Sequence, residues 1–330
     1  MQIVLNNFGL SLGRDNEGFV ITTQDGRQRI PVIGVTSILV AKGALISTDA
    51  MLLAIENEIE VIICDRKGEP QGRIWSPKYG SISTIRKGQL SFTYSQDAVN
   101  FIKEILEKKI NNQQAIILSL SGLEINDVNA LAVAKKAIDR LDEYKRKIIE
   151  LEADRITDVA SQLRGWEGVS AKIYFEAVNY FLPMQYRFDQ RSQHPALDIA
   201  NCLLNYGYGV LYGKIEGALI KSGIDPYIGI LHRDEYNRPV LVYDIIELYR
   251  VWVEFVVFEL LKQNIITEEF YSVGEDGSYW LEPLGRRILI QSLNDYLEEV
   301  VDGESLRRSR EMQITLFVQQ LAQTFKKLSI

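Results

Sequence analysis

The chain has 330 residues, enough for one large domain or two ordinary ones, and 46% hydrophobic with 25% charged residues is the balance of a globular protein. No run approaches the length of a membrane span: the best candidate, Val251 to Leu261, is interrupted by Glu254 and Glu259. The net charge of −7 argues against a uniformly basic nucleic-acid binder. It still leaves room for a local basic surface, because Arg307, Arg308, Arg310, Lys326 and Lys327 meet only Glu311 near the end of the chain.

In chain order, the first ninety residues read as mostly β. QIVL, LSLG, GFVITT, RIPVIGV, SILVAKG, VIICD and GRIWS are short β-branched or apolar runs punctuated by Gly, Asn and Asp. One insertion, STDAMLLAIENE, opens on a capping Ser47 or Thr48 and carries helical spacing, which predicts a short helix. The Pro-, Gly- and Ser-rich stretch from Trp75 to Ser83 predicts a boundary, giving domains 1–84 and 85–330. Beyond it helical periodicity dominates. One long helical pattern runs from Asp127 towards a stop near Gly165. Further helices are expected at 170–181, 196–221, 243–263, 284–301 and 305–327, with a hairpin around Asp276-Gly277. The fold class is therefore α+β, a mostly-β N-terminal domain followed by a larger all-α domain.

The two cysteines, Cys64 and Cys202, are far apart and lie in no CxxC motif, which argues against a zinc site or disulfide framework and makes a reducing cytoplasm the simple expectation. A nucleotide-binding P-loop and a GxSxG nucleophile elbow are also missing.

Only two histidines occur. His194 stands before a proline and reads as a loop residue. His232 stands twelve residues before Asp244, and Asp244 and Glu247 fall three apart in a predicted helix among apolar neighbours. Acids beside a packing face are costly unless paired or bound to a metal. An ordinary surface pairing with Arg238 or Arg250 competes with the functional reading. Glu167, between Trp166 and Gly168, is expected in the first turn of a helix, where an acid suits the helix dipole or points into a site. One imidazole with two or three carboxylates is a ligand mix for Mg²⁺ or Mn²⁺, and such a metal serves phosphoryl chemistry. Spacing does not show that position 167 meets position 232. Tyr212 lies in a Gly-flanked helical turn where a ligand contact is open to it.

These pieces occur in one order in a known family. LRGWEGVSAKIYF, HPALDIANCLLNYGYGVLYGKIEGALIKSGIDPYIGILH, RPVLVYDIIELYR and GSYWLEPLGRRILI, after the β-rich IPVIGV…GRI stretch, resemble the CRISPR-associated integrase family of the first Cas protein (Cas-one). The resemblance covers nearly the whole chain. It implies an N-terminal β-domain that forms a homodimer and a helical domain that binds metal through Glu167, His232 and Glu247. Asp244 is then an alternative ligand or a residue supporting one, and Tyr212 is the family tyrosine. It implies assembly with the second Cas protein (Cas-two), and a double-stranded DNA fragment (prespacer) and CRISPR repeat DNA as substrates. The implied reaction is transesterification, in which the fragment's 3′-hydroxyl attacks a phosphodiester at the repeat edge, with endonuclease cleavage where water replaces that hydroxyl. Arg164, Arg187, Arg191 and Arg238 are the expected phosphate contacts. The competing reading is a non-catalytic DNA-binding scaffold.

Overall fold

A computed structural model describes residues 1–16, 18–23, 26–65, 70–74, 82–122, 128–232, 236, 238–302 and 307–328. The chain divides into two compact units, Met1–Gly80 and Ser81–Ile330. Most of the expected boundary stretch, from Trp75 to Ser81, lies outside the described residues.

The first unit holds two four-stranded sheets. In one, β1 (Gln2–Leu5), β5 (Ser37–Ala41) and β7 (Glu60–Cys64) run parallel, and β8 (Pro70–Ile74) pairs antiparallel with β7. In the other, β2 (Ser11–Asp15), β3 (Gly18–Thr23) and β4 (Gly26–Pro31) form an antiparallel meander, and the short β6 (Leu45–Ile46) runs parallel to β2. The two-residue period decides the core. In β1, Ile3 and Leu5 point inward and Val4 outward, and Ile38 and Val40 do the same from β5. The helix α1 (Thr48–Glu56) starts at Ser47, whose Oγ accepts from Ala50 N at 3.2 Å, and it packs on β2 and β7. The run RIPVIGV does not continue as one strand. β4 ends at Pro31, and the chain turns with Val35 N donating to Val32 O at 3.1 Å.

The second unit is helical: α2 (Ile82–Thr93), α3 (Gln96–Gly122), α4 (Val128–Glu150), α5 (Ile156–Phe181), α6 (Ile199–Lys221), α7 (Val240–Ile246), α8 (Arg250–Lys262), α9 (Pro283–Glu298) and α10 (Arg310–Leu328). Two small hairpins interrupt it. One pairs β9 (Tyr271–Val273) with β10 (Tyr279–Leu281), around the expected Asp276-Gly277 turn. The other pairs β11 (Val300–Asp302) with β12 (Arg307–Ser309), so the last helix starts later than its periodicity predicts.

α6 is the centre. Its buried residues, among them Leu203, Leu204, Leu211 and Ile215, go round the helix instead of forming one stripe, as expected of a helix wrapped by others. Asp198 caps it, accepting from Asn201 N at 2.7 Å. α8 comes close at Gly207, where a Cβ would stand 2.5 Å from Val253 Cγ1.

Three expectations are corrected. The helical pattern from 127 to 168 is two helices, broken at 151–155 and not at Gly165. No proline or glycine marks that break; Lys103 of α3 secures it by donating to Leu151 O at 2.6 Å, which satisfies a carbonyl near the end of α4. Glu167 accordingly lies in the middle of α5, not in a first turn. The expected helix 243–263 is likewise two, α7 and α8, with Glu247 at the break between them.

Candidate functional site

The site grows from α5, α3, and the α7–α8 break with the turn that precedes α7. On α5, Leu163, Ser170 and Tyr174 belong to the buried stripe, and Glu167 takes the place in that stripe between Leu163 and Ser170. A carboxylate there points towards neighbouring helices, not away from them. α7 ends at Ile246, and Glu247 stands at its C-terminal cap with 7% exposure.

The turn from Gly229 to His232 is drawn against α7. A Cβ at Gly229 would lie 2.6 Å from His232 O and 2.9 Å from Val240 Cγ2, so only glycine allows the approach. Asp244, 1% exposed, organises this turn. Its Oδ2 accepts from Ile230 N at 2.7 Å and Leu231 N at 3.1 Å, and its Oδ1 accepts from His232 N at 3.0 Å. The same Oδ1 lies 2.7 Å from His232 Nδ1. With Nδ1 engaged by Asp244, Nε2 is the ring nitrogen left for another partner. Asp244 therefore supports the histidine and spends its lone pairs on the turn.

Lys109, which the sequence reading passed over, joins the two glutamates. It comes from the buried stripe of α3, in step with Ile102, Ile105, Leu106 and Gln113. Its ammonium donates to Glu167 Oε1 and lies 2.5 Å from Glu247 Oε2. Arg250 Nε stands 3.1 Å from Glu247 Oε1, close enough for charge attraction but misaligned for a hydrogen bond. Glu247 Oε2 likewise accepts no well-aligned hydrogen bond.

The electrostatics follow from this arrangement. Burial opposes the Lys109 charge, but Glu247 and Glu167 outweigh it and raise the ammonium's pKa. Burial opposes the Glu247 charge too, and Arg250, Lys109 and His232 together hold its carboxyl below the usual range. For His232, burial is outweighed by the hydrogen bond and charge of Asp244 and then by the charges of Glu247 and Glu167, so its pKa is raised. His232 and Glu247 thus feel each other, and His232 also feels the charge of Glu167.

A second buried network abuts it. Glu254 of α8 accepts from Tyr174 and Tyr208, both at 2.7 Å, and Arg250 lies over the Tyr208 ring at 5.0 Å. On the other side, Tyr243 lies between His232 and Tyr212, tilted against both, with ring centroids 5.8 and 5.4 Å away. Tyr212 donates to Pro239 O at 3.3 Å, and burial raises its phenol pKa, so it stays protonated.

The four arginines expected at phosphates differ. Arg164 donates to Leu231 O at 2.8 Å, tying α5 to the histidine's turn. Arg187 donates to Leu182 O and Tyr180 O. Arg191 donates to Asn201 and Asn205 and lies over Phe175 and Tyr208. Arg238 is exposed and next to Pro239, at the entry to α7. The segment 233–235 between histidine and helix lies outside the described residues.

The donor set, two carboxylates and one imidazole nitrogen, has the chemistry of an Mg²⁺ or Mn²⁺ site, and Glu247 Oε2, buried without an aligned hydrogen bond, has the Lys109 ammonium as its cation. As the side chains lie, no three His, Cys, Asp or Glu residues among those described close a metal site. The ammonium of Lys109 lies between the two glutamates.

Comparison with known proteins agrees with the fold and the motif order. The family model described as "CRISPR associated protein Cas1" matches residues 3–295. A CRISPR-associated endonuclease Cas1 of Archaeoglobus fulgidus is 31% identical over 308 residues, covering 90% of this chain and 88% of that protein. One from Rhodospirillum rubrum is 30% identical over 293 residues, covering 86% of this chain and 82% of the relative. Among solved structures, a Cas1 protein from Thermotoga maritima superposes with a TM-score of 0.77 at 21% identity, covering 98% and 97% of the two chains. A casposase bound to integration product gives 0.79 at 20% identity, covering 99% of this chain and 90% of the casposase. With its motifs, its two-unit fold and a family match spanning most of its length, the chain belongs to the Cas1 family of CRISPR-associated proteins.

Proposed function

We propose that this protein is a DNA strand-transfer enzyme of CRISPR spacer acquisition, with endonuclease cleavage as the related hydrolytic reaction. The observation that carries the reading is that Lys109 pairs with both Glu167 and Glu247, while His232, oriented by the buried Asp244, feels the charge of both glutamates. The names of the relatives, CRISPR-associated endonucleases, and the similarity in fold to a casposase bound to integration product support it.

Glu167, Glu247 and His232 Nε2 would hold Mg²⁺ or Mn²⁺, which when bound neutralises phosphate charge and activates a hydroxyl. The chain's own residues do the positioning. Asp244 fixes the imidazole through Nδ1 and holds the 230–232 turn through three backbone N–H groups. Arg250 and Lys109 hold the Glu247 carboxyl ionised, and Lys109 pairs with Glu167 as well. In the reaction, the 3′-hydroxyl oxygen of the captured fragment loses its proton and forms a bond to phosphorus at the repeat edge, while the 3′-oxygen of the adjoining strand leaves and takes up a proton. One phosphodiester replaces another, so no nucleotide hydrolysis is needed, in keeping with the missing P-loop. The exposed Arg238, and Arg307 and Arg308 in β12 with Lys326 and Lys327 in α10, supply positive charge for phosphates on an otherwise acidic chain.

The partners in this reading are a prespacer duplex, the CRISPR repeat and a Cas-two protein. A Cas6-RT-Cas1–Cas2 complex is among the structures of similar fold. The first unit is proposed to form the homodimer, supported by its outward apolar side chains Phe8 and Ile33, 89% and 91% exposed. Among the described residues no helix is long and apolar enough to cross a membrane.

The test is strand joining with Mn²⁺, repeat DNA and the partner protein. Glu167→Ala and His232→Ala are each expected to lower joining by about 100-fold or more with DNA binding kept. Joining that survives both substitutions removes the site assignment. A wild-type protein that binds DNA with its partner and never joins it is the scaffold.

A further inference from the structure

We propose that Lys109 is a built-in counter-cation of the candidate metal centre: its ammonium holds Glu167 and Glu247 in the metal-free protein and exchanges with the divalent ion. The inference rests on the metal reading of the preceding subsection. Three observations lead to it. Lys109 is 7% exposed and comes from the apolar stripe of α3, a place where a lysine is tolerated only if its charge is met. It contacts one carboxylate oxygen on each of the two glutamates, Glu167 Oε1 and Glu247 Oε2. Without it, Arg250 and His232 would be left to balance the charge of Glu247.

A divalent ion drawn to those carboxylates meets a positive charge already there. The two cations compete for the same oxygens, so the ammonium must withdraw for the metal to bind well. A lysine suits this exchange because it is a compact point charge on a flexible stem. It also has somewhere to go. Gln113 lies one turn further along the same face of α3, 3% exposed, and its Oε1 is a buried acceptor with no hydrogen-bond partner. Side chains four apart on a helix are neighbours. The displaced ammonium can thus pass from a carboxylate to an amide oxygen while staying at the edge of the site. The protein then keeps its glutamates paired before metal arrives, at the cost of a lower metal affinity.

The experiment is calorimetric titration of MnCl₂ into the full-length protein without DNA, beside thermal unfolding with and without Mn²⁺. Lys109→Met keeps the stem and removes the charge. It is expected to bind Mn²⁺ at least about tenfold tighter than wild type. Its metal-free form is expected to melt lower and to gain more on adding Mn²⁺ than wild type does. Equal or weaker binding by Lys109→Met overturns the proposal while leaving a wild-type metal site standing. If neither protein binds Mn²⁺, the metal reading itself has failed, and this inference falls with it. Should Lys109→Met not fold, Lys109→Arg decides. Its planar fork can hold both carboxylates and withdraws less readily, so Mn²⁺ binding about tenfold weaker than wild type supports the exchange. Unchanged or tighter binding by Lys109→Arg overturns it.

Discussion

Glu254 shows how much a single buried acid depends on its surroundings. It is 3% exposed, and the two tyrosine hydroxyls that donate to it offset only part of the burial that raises its pKa above 4.5. The folded protein therefore retains a proton that the unfolded chain releases. Whatever stability the protonated acid contributes is fully present below about pH 4.5 and is lost as pH rises through the folded value. Glu254→Gln keeps the shape and the tyrosine partners but cannot ionise. Urea unfolding at pH 5 and pH 8 is expected to show wild type losing ground to Glu254→Gln on going to the higher pH; parallel stabilities would mean that Glu254 is not strained by burial. The same scale shows what could be read from residues alone. His232 and the acids Asp244 and Glu247 drew notice because a rare histidine preceded charges in an apolar run. Which acid did what was not legible, since both are carboxylates three apart. The fold separates them: Asp244 is consumed by three backbone N–H groups and an imidazole, whereas Glu247 faces Lys109 and Arg250. Lys109 escaped because a lysine in a helical pattern is most often solvated. Its signal was positional, a place in step with Ile102 and Leu106.

At the scale of elements, the site depends on helices that stop where periodicity would carry them on. α7 and α8 read as one helix, yet the break puts Glu247 at a terminus, and Asn112 of α3 donates to Leu248 O at 3.1 Å within that break. Apolar spacing continues through both breaks, and it reports only which residues are buried, so neither interruption leaves a mark in the pattern. The contact of α6 with α8 gives this packing a measurable form. At Gly207 a methyl would overlap Val253 Cγ1, so the gain in helix propensity from Gly207→Ala is outweighed by overpacking. The substitution is expected to cost about 1–3 kcal/mol in chemical denaturation. Adding Val253→Ala should return part of that loss, and a double variant no better than the sum of the singles would show that the two side chains do not meet.

The whole molecule has two separate cores. One gathers Ile3, Leu5, Leu12, Phe19 and their neighbours in the first unit, and the other runs from Ile85 to Phe325 in the second. Each unit is therefore expected to unfold as its own cooperative transition. Phe19→Ala, at a fully buried position of β3, should cost about 3–5 kcal/mol and lower only the first unit's transition in calorimetry. A shift of both transitions would mean that the cores are energetically coupled. The division into a β-rich and a helical part was readable from sequence because side-chain periodicity, two in strands and near 3.6 in helices, is a local property. So was the family, because the order of its motifs is written along the chain. Tertiary structure decided the rest: that the charge of Glu167, far along the chain from His232, reaches it; that Asp244 holds the histidine while Glu247 meets Lys109; and that this lysine, from a third helix, pairs with both glutamates. Those are relations between distant segments, set by how helices pack and where they break, and no local pattern encodes them.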